Sequence, residues 1–311
     1  MGTKQTRRTL GLLWRCVILS LLIFNVSCFG VFAYTYGIEA ASQPQKVLNF
    51  SIHELYADHL KYNPNSDAVF LSSAHSNEGY ISIDNRTDKR LCINLTHENG
   101  TRLVYTAMPG VTYCLLTEGP GTYDVICGEE DKPAMLSDTV STEAKKDDIY
   151  TYPSSYVMFY ADSNIVKFCS ALPEDEVSYI NAVFSTLTKK GFYTLDGNRS
   201  ETWYVPNPNE FVKDFRGDCF DFASFATAAF RLRGIPCRLV VGEVEGNGHA
   251  WIELKPNFSG NVGGFDMKKG EWCFVDPTVF VTNDIGYGEL AFLVPTYYEQ
   301  NRDKYKISYT Y

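Results

Sequence analysis

Arg216-Gly217-Asp218-Cys219-Phe220-Asp221-Phe222-Ala223 opens an apolar, alanine-rich segment that runs to Arg233 and is stopped by Gly234-Ile235-Pro236. This spelling predicts a sharp turn, an N-cap at Asp218 and a helix that carries a thiol in its first turn. The first N–H groups of a helix have no partner inside it and carry positive partial charge, so a thiol there is favoured as thiolate. Asp218 and Asp221 flank that thiol, and nearby carboxylates oppose its ionisation unless they are spent on capping the helix.

Two later stretches carry complementary groups. His249, the single histidine of the C-terminal half, begins His249-Ala250-Trp251-Ile252-Glu253-Leu254, and Asp276 follows in Cys273-Phe274-Val275-Asp276-Pro277-Thr278. Both stretches have the short period of strands. Paired as an antiparallel hairpin around Lys255 to Gly270, with His249 opposite Asp276 and Trp251 opposite Phe274, they place imidazole and carboxylate on one face. Cys219 is then the candidate nucleophile, His249 its base and Asp276 the group that orients the ring. The backbone N–H of Cys219 is the candidate oxyanion donor. Each member alone has a plainer role: a cysteine as core filler, a histidine as a satisfied strand residue, Asp-Pro-Thr as a turn, and Trp251 and Trp272 as core aromatics. Their conjunction in three separate elements carries the catalytic reading.

These blocks resemble the transglutaminase-like superfamily, whose core is papain-like. The resemblance runs from about Tyr193 to Phe280. It rests on Gly217 to Ala223, Leu232-Arg233-Gly234-Ile235-Pro236-Cys237-Arg238, Val241-Gly242-Glu243-Val244, His249 to Glu253 and Val275-Asp276-Pro277-Thr278. It implies a Cys219, His249, Asp276 triad and an α+β fold in which a central helix packs on an antiparallel sheet. Tyr204-Val205-Pro206 through Phe211 resembles the usual lead-in to the nucleophile. Trp203 is a candidate second oxyanion donor by position only, beside a plain packing role. The superfamily holds cross-linking enzymes, peptidases, deglycosylating amidases and members without activity, so the resemblance bears on the chemistry more than on the substrate.

The rest of the 311 residues sets the context. Lys4, Arg7, Arg8 and Arg15 precede the apolar run Cys16 to Phe24, and no acidic residue occurs before Glu39. Residues 1–36 therefore read as a signal peptide or membrane anchor, with the remainder outside the cytoplasm. Three fates are open: cleavage after Val31-Phe32-Ala33, lipidation at Cys28, or retention of Leu10 to Tyr36 as a span. Residues 37–65 read as a spacer, with a short helix near His53 to Tyr62. Residues 66–130 read as a small Ig-like β-sandwich of six short strands divided by turn signals. Residues 131–148 read as a polar linker, and 149–311 as the transglutaminase-like domain. Within the last, Pro173 to Lys190 predicts a helix that buries Val177, Ile180, Phe184 and Leu187.

Composition excludes other classes. A net charge of −9, with no cluster of Lys and Arg beyond the first sixteen residues, argues against a nucleic-acid surface. The seven cysteines after residue 36 show no metal-ligand spacing, so no zinc site and no cofactor is expected. Cys114–Cys127 is the most plausible local disulfide. The expected partners are the membrane, through the N-terminal segment, and a protein or peptide substrate such as a cell-surface or cell-wall peptide. The rival class is an inactive, anchored adhesion or scaffold protein that uses both domains for binding.

Overall fold

Apolar residues alternate with polar ones through the first third of the described chain, and strands follow. The computed structural model describes residues 68–145, 147, 149–194, 204–283 and 302–311. The expected membrane segment and spacer, Cys28, the helix near His53 and Trp203 lie outside the described residues. Among those described, no helix is long and apolar enough to cross a membrane.

Strands β1 (Val69–Ser72), β2 (Tyr80–Asn85) and β5 (Gly110–Leu115) form one antiparallel sheet in the order β1-β2-β5. Strands β3 (Leu91–His97), β4 (Arg102–Ala107), β6 (Gly121–Gly128) and β7 (Leu136–Thr142) form a second, in the order β4-β3-β6-β7. In β3, Leu91, Ile93, Leu95 and His97 are buried while the residues between them are half-exposed, the period of two that a one-sided sheet requires. Ile81, Ile83, Leu95, Tyr105 and Val125 from both sheets join one apolar cluster, which continues into the rest of the chain.

Two expectations change here. Residues 131–148, read as a linker, contribute β7, which pairs with β6 from Gly121↔Thr142 to Cys127↔Leu136. It is an edge strand with most side chains in solvent, so its polar composition hides it. Cys114 and Cys127 are separate free thiols, as are the other five described cysteines. The two lie on β5 and β6, which belong to different sheets.

The second part begins with helices α1 (Asn164–Ser170), α2 (Glu176–Lys190), α3 (Pro208–Phe211) and α4 (Cys219–Leu232). Helix α2 is capped by Asp175 and ends in Lys189-Lys190, as its charges predict. Its buried face is Tyr179, Ile180, Val183, Phe184 and Leu187. Val177, expected inside, is exposed, because Tyr179 and Val183 complete the stripe one turn further on. Three short strands, β8 (Phe192–Tyr193), β9 (Arg216–Gly217) and β15 (Thr282–Asn283), pair in parallel with β8 in the middle.

The main sheet runs β14 (Cys273–Val275), β11 (Asn247–Leu254), β10 (Cys237–Val244) and β16 (Tyr305–Thr310), all antiparallel. A small hairpin of β12 (Gly260–Val262) and β13 (Phe265–Met267) fills the connection between β11 and β14. Helix α4, buried along nearly its whole length, packs on β10 and β11. A central helix on an antiparallel sheet is thus present, as expected.

Helix α4 is stopped where the sequence says. Gly234 takes φ +74°, and the N–H groups of Gly234 and Ile235 bond the carbonyls of Arg231 and Phe230. This is a Schellman cap, and Gly234 supplies its left-handed residue without a steric cost. Just before that end, Arg231 is fully buried and donates to the carbonyls of Cys237 (2.8 Å), Tyr152 (2.8 Å) and Tyr311 (2.6 Å). Burial lowers its pKa to about 10, and one planar fork ties the helix to the sheet, to the segment before α1 and to the chain's last residue. Arg231→Leu is expected to lower the unfolding free energy by about 3 kcal/mol, since three carbonyls lose their donor. Arg231→Lys should restore only part of it. Urea denaturation monitored by circular dichroism measures both.

Candidate active site

The nucleophile position is built by a turn, a strand and a cap in sequence. Phe215 takes a left-handed φ of 56°, unusual for a bulky residue, and is held by Phe211, Phe225 and Phe168 at ring-centroid distances of 5.5 to 5.7 Å. The turn delivers Arg216-Gly217 into β9. Asp218 then caps α4: its Oδ1 accepts from the N–H groups of Phe220 (2.9 Å) and Asp221 (3.3 Å). Asp221 returns the bond, its Oδ2 accepting from the N–H of Asp218 at 3.0 Å, and its Oδ1 accepts the Tyr204 hydroxyl at 2.5 Å. Both carboxylates that flank Cys219 are therefore spent on the capping box, which resolves the electrostatic conflict visible in the sequence. A Cβ on Gly217 would lie 2.4 to 2.7 Å from the Asp221 side chain, so glycine is required there.

His249 lies near the start of β11 and Asp276 directly after β14. The strands pair Ile252 with Val275 and Glu253 with Phe274. This alignment differs by two residues from the expected hairpin. Because side chains alternate with period two, the shift keeps both residues on one face, where they meet diagonally. His249 Nε2 lies 2.7 Å from Asp276 Oδ2. The Cys219 sulfur lies close enough to the same imidazole to act on its charge. The structure therefore brings together all three residues singled out in the sequence.

Asp276 has no solvent exposure, and both its oxygens are satisfied. Oδ1 accepts from the backbone N–H (3.0 Å) and hydroxyl (2.6 Å) of Thr278, and Oδ2 from His249 and from the Tyr305 hydroxyl at 3.0 Å. Burial alone would raise its pKa, but the imidazole and the Thr278 donors outweigh burial and hold it below the ordinary carboxylate value. For His249, burial works against the charged ring. The Asp276 carboxylate, followed by the Cys219 sulfur, overcomes this and pushes its pKa up to about 10.

Two residues of the site had no signal in the sequence. Tyr305 comes from β16, near the C-terminus, and packs edge-on against Trp251 (5.0 Å) and Phe274 (4.8 Å). It can reach Asp276 because β16 pairs with β10 beside Gly242, where a Cβ would meet the Lys306 carbonyl at 2.0 Å. Tyr193, on β8, lies beside Cys219, and burial together with the sulfur raises its pKa. One tyrosine among the 21 in the chain carries no motif of its own. Only the parallel pairing of β8 with β9 puts Tyr193 beside the nucleophile.

Residues 165–277 match the family model of the transglutaminase-like superfamily. This segment is a transglutaminase-like domain. No curated protein sequence matches the chain. Several solved structures are similar to it. A candidate cysteine protease from Cytophaga hutchinsonii is 16% identical over 68% of this chain and 72% of its own, with a TM-score of 0.34. The periplasmic domain of TgpA from Pseudomonas aeruginosa is 14% identical over 65% and 73%, with a TM-score of 0.31. LapG from Legionella pneumophila is 17% identical over 48% and 68%, also at 0.31. Within the transglutaminase-like domain the helix start, the histidine strand and the aspartate turn all fall inside the matched residues.

The electrostatics of the pair can be measured. With its pKa raised above the ordinary 6.5, His249 adds stability that is complete below pH 6.5 and is lost as pH rises through about 10. In Asp276→Asn, burial is left with less opposition, so NMR titration should find the His249 pKa at or below 6.5. The loss of stability between pH 7 and 10 should flatten in the same variant. An unchanged titration would remove Asp276 as the ring's electrostatic partner.

Proposed function

We propose that the protein is a thiol-dependent acyltransferase or amidase acting on a peptide or protein substrate outside the cytoplasm. The observation that carries this reading is the grouping of a thiol at a capped helix start, a half-buried imidazole and a fully buried carboxylate. Thr278 and Tyr305 complete the bonding of that carboxylate. A purely structural domain gains little from burying a charged histidine–aspartate pair beside a free sulfur.

In the reaction, Cys219 Sγ attacks a carboxamide or peptide carbonyl, and the sulfur's proton resides on His249. The oxygen of the tetrahedral adduct takes a hydrogen bond from the Cys219 N–H, with the Tyr193 hydroxyl beside it as a further donor. His249 gives its proton to the leaving nitrogen, the C–N bond breaks, and an S-acyl thioester remains. Water or an amine then attacks the thioester, His249 takes the incoming proton, and Cys219 is released. Asp276 stays ionised throughout and keeps the ring's Nε2 engaged, so that Nδ1 serves the sulfur. The two sheets before the domain form an Ig-like sandwich in this reading, and the basic N-terminus carries the chain across or into a membrane.

Thiol labelling tests the proposal. Burial raises the pKa of Cys92, Cys114, Cys127, Cys169, Cys237 and Cys273, so those six described thiols are slow internal references. Iodoacetamide at pH 7 should label Cys219 first, as mapped by peptide mass spectrometry. His249→Ala should slow that labelling by about 100-fold or more while the far-ultraviolet circular dichroism is kept. Equal labelling of Cys92 and Cys219, indifferent to His249, would favour the scaffold reading.

A further inference from the structure

Beside the nucleophile lies a cleft of about 230 Å³ whose walls come from three distant parts of the chain. Phe220, the residue after Cys219, and Tyr204 line it from the transglutaminase-like domain, with Val241 of β10, which stands in register with Ala250 next to His249. Val104 and Thr106 of β4 line it from the N-terminal sheets, and Tyr309 and Tyr311 from the C-terminal end. The cleft thus begins at the residue that follows Cys219 in the chain.

Its chemistry is restricted. Among the described residues, none that lines it is charged. Three tyrosine hydroxyls are engaged within the protein: Tyr156 with Thr106 Oγ1 (3.2 Å), Tyr311 with the Val104 carbonyl (2.8 Å) and Tyr204 with Asp221. Aromatic rings and methyl groups make up most of the described wall. The rings are braced against one another, Phe220 to Tyr156 at 5.3 Å and Tyr156 to Tyr311 at 4.8 Å between centroids, so the walls are preformed. The volume lies below the range typical of whole small-molecule sites and suits a single large side chain. Val104 and Tyr309 also border a second, larger cleft of about 480 Å³ on the outer face of β3, β4 and β6. That neighbour is polar, with Arg102, Glu129, Glu130 and Asp131 on its walls.

We infer that the smaller cleft receives a large apolar or aromatic side chain of a polypeptide substrate, adjoining the acyl group that Cys219 attacks, and that the chain beyond it runs along the polar cleft of the N-terminal sheets. This deepens the acyl-transfer reading and rests on it. The N-terminal sheets thereby become part of the substrate site rather than an appended spacer. An extended peptide is the fitting occupant, because a free small molecule would have no use for the polar continuation that shares Val104 and Tyr309.

The test uses the full chain and peptidyl vinyl sulfones that differ only in the residue next to the electrophile: Phe, Leu, Gly or Asp. Each labelling rate at Cys219 is divided by the iodoacetamide rate of the same protein. The Phe and Leu probes should exceed Gly and Asp by about tenfold or more. Val241→Trp, which fills the cleft, should erase that preference, and Tyr309→Ala, which opens a wall outside the core, should reduce it. If iodoacetamide itself labels without dependence on His249, the catalytic reading falls and the cleft inference falls with it. If iodoacetamide labelling needs His249 but the four probes react alike, the cleft inference alone is overturned. A preference that weakens as protein concentration rises would assign the cleft to a second copy of the chain and would also overturn it.

Discussion

The reciprocal cap between Asp218 and Asp221 is the constraint on which the functional centre depends. Helix α4 is buried from Asp221 onward and half-exposed at its start, where its first N–H groups have no partner within the helix. Two carboxylates satisfy three of them at 2.9 to 3.3 Å. The same bonds fix where the sulfur points, force glycine at 217 and anchor Tyr204. Charges that would otherwise oppose an anion at Cys219 are neutralised by backbone dipoles instead. Geometry and electrostatics at the nucleophile are one arrangement seen twice.

At the far end of the same helix, Arg231 plays the corresponding role with opposite sign. Its guanidinium meets backbone oxygens that belong to segments far apart in sequence. A helix held at both ends by fully satisfied polar groups has little freedom to slide over the sheet. That rigidity is what a site built from three separate elements requires, because an error of about 1 Å between reacting groups costs on the order of 100-fold in rate.

The C-terminal strand is the least expected contributor. By pairing with β10 it brings Tyr305 to Asp276, Tyr309 and Tyr311 to the cleft and the terminal carbonyl to Arg231. It also joins the two parts of the described chain, since Tyr311 donates to the Val104 carbonyl of β4; the segment before α1 adds a bond from Ser155 to the Thr106 carbonyl at 2.8 Å. The candidate site residues lie between 219 and 276, yet Tyr305, which bonds Asp276, comes some thirty residues later.

Local rules were legible. The Asp218 cap and the Gly234 stop bounded helix α4, turn signals divided the first six strands, and the order of thiol, imidazole and carboxylate pointed to the candidate site. Where partners are distant the reading failed or stayed silent. The β7 edge strand looked like a linker because its side chains face water. Val177 looked buried because helical spacing alone cannot say which stripe meets the core. The β11–β14 register came out two residues away, an error invisible to side-chain parity. By itself, the sequence determined which groups are candidates for the chemistry and where helix α4 starts and stops, since capping, turns and periodicity act over a few residues. Only the tertiary structure decided which hydroxyls stand beside those groups and which residues wall the adjoining cleft. Tyr193, Tyr305 and the cleft exist through strand pairings across tens to hundreds of residues, which leave no short-range mark.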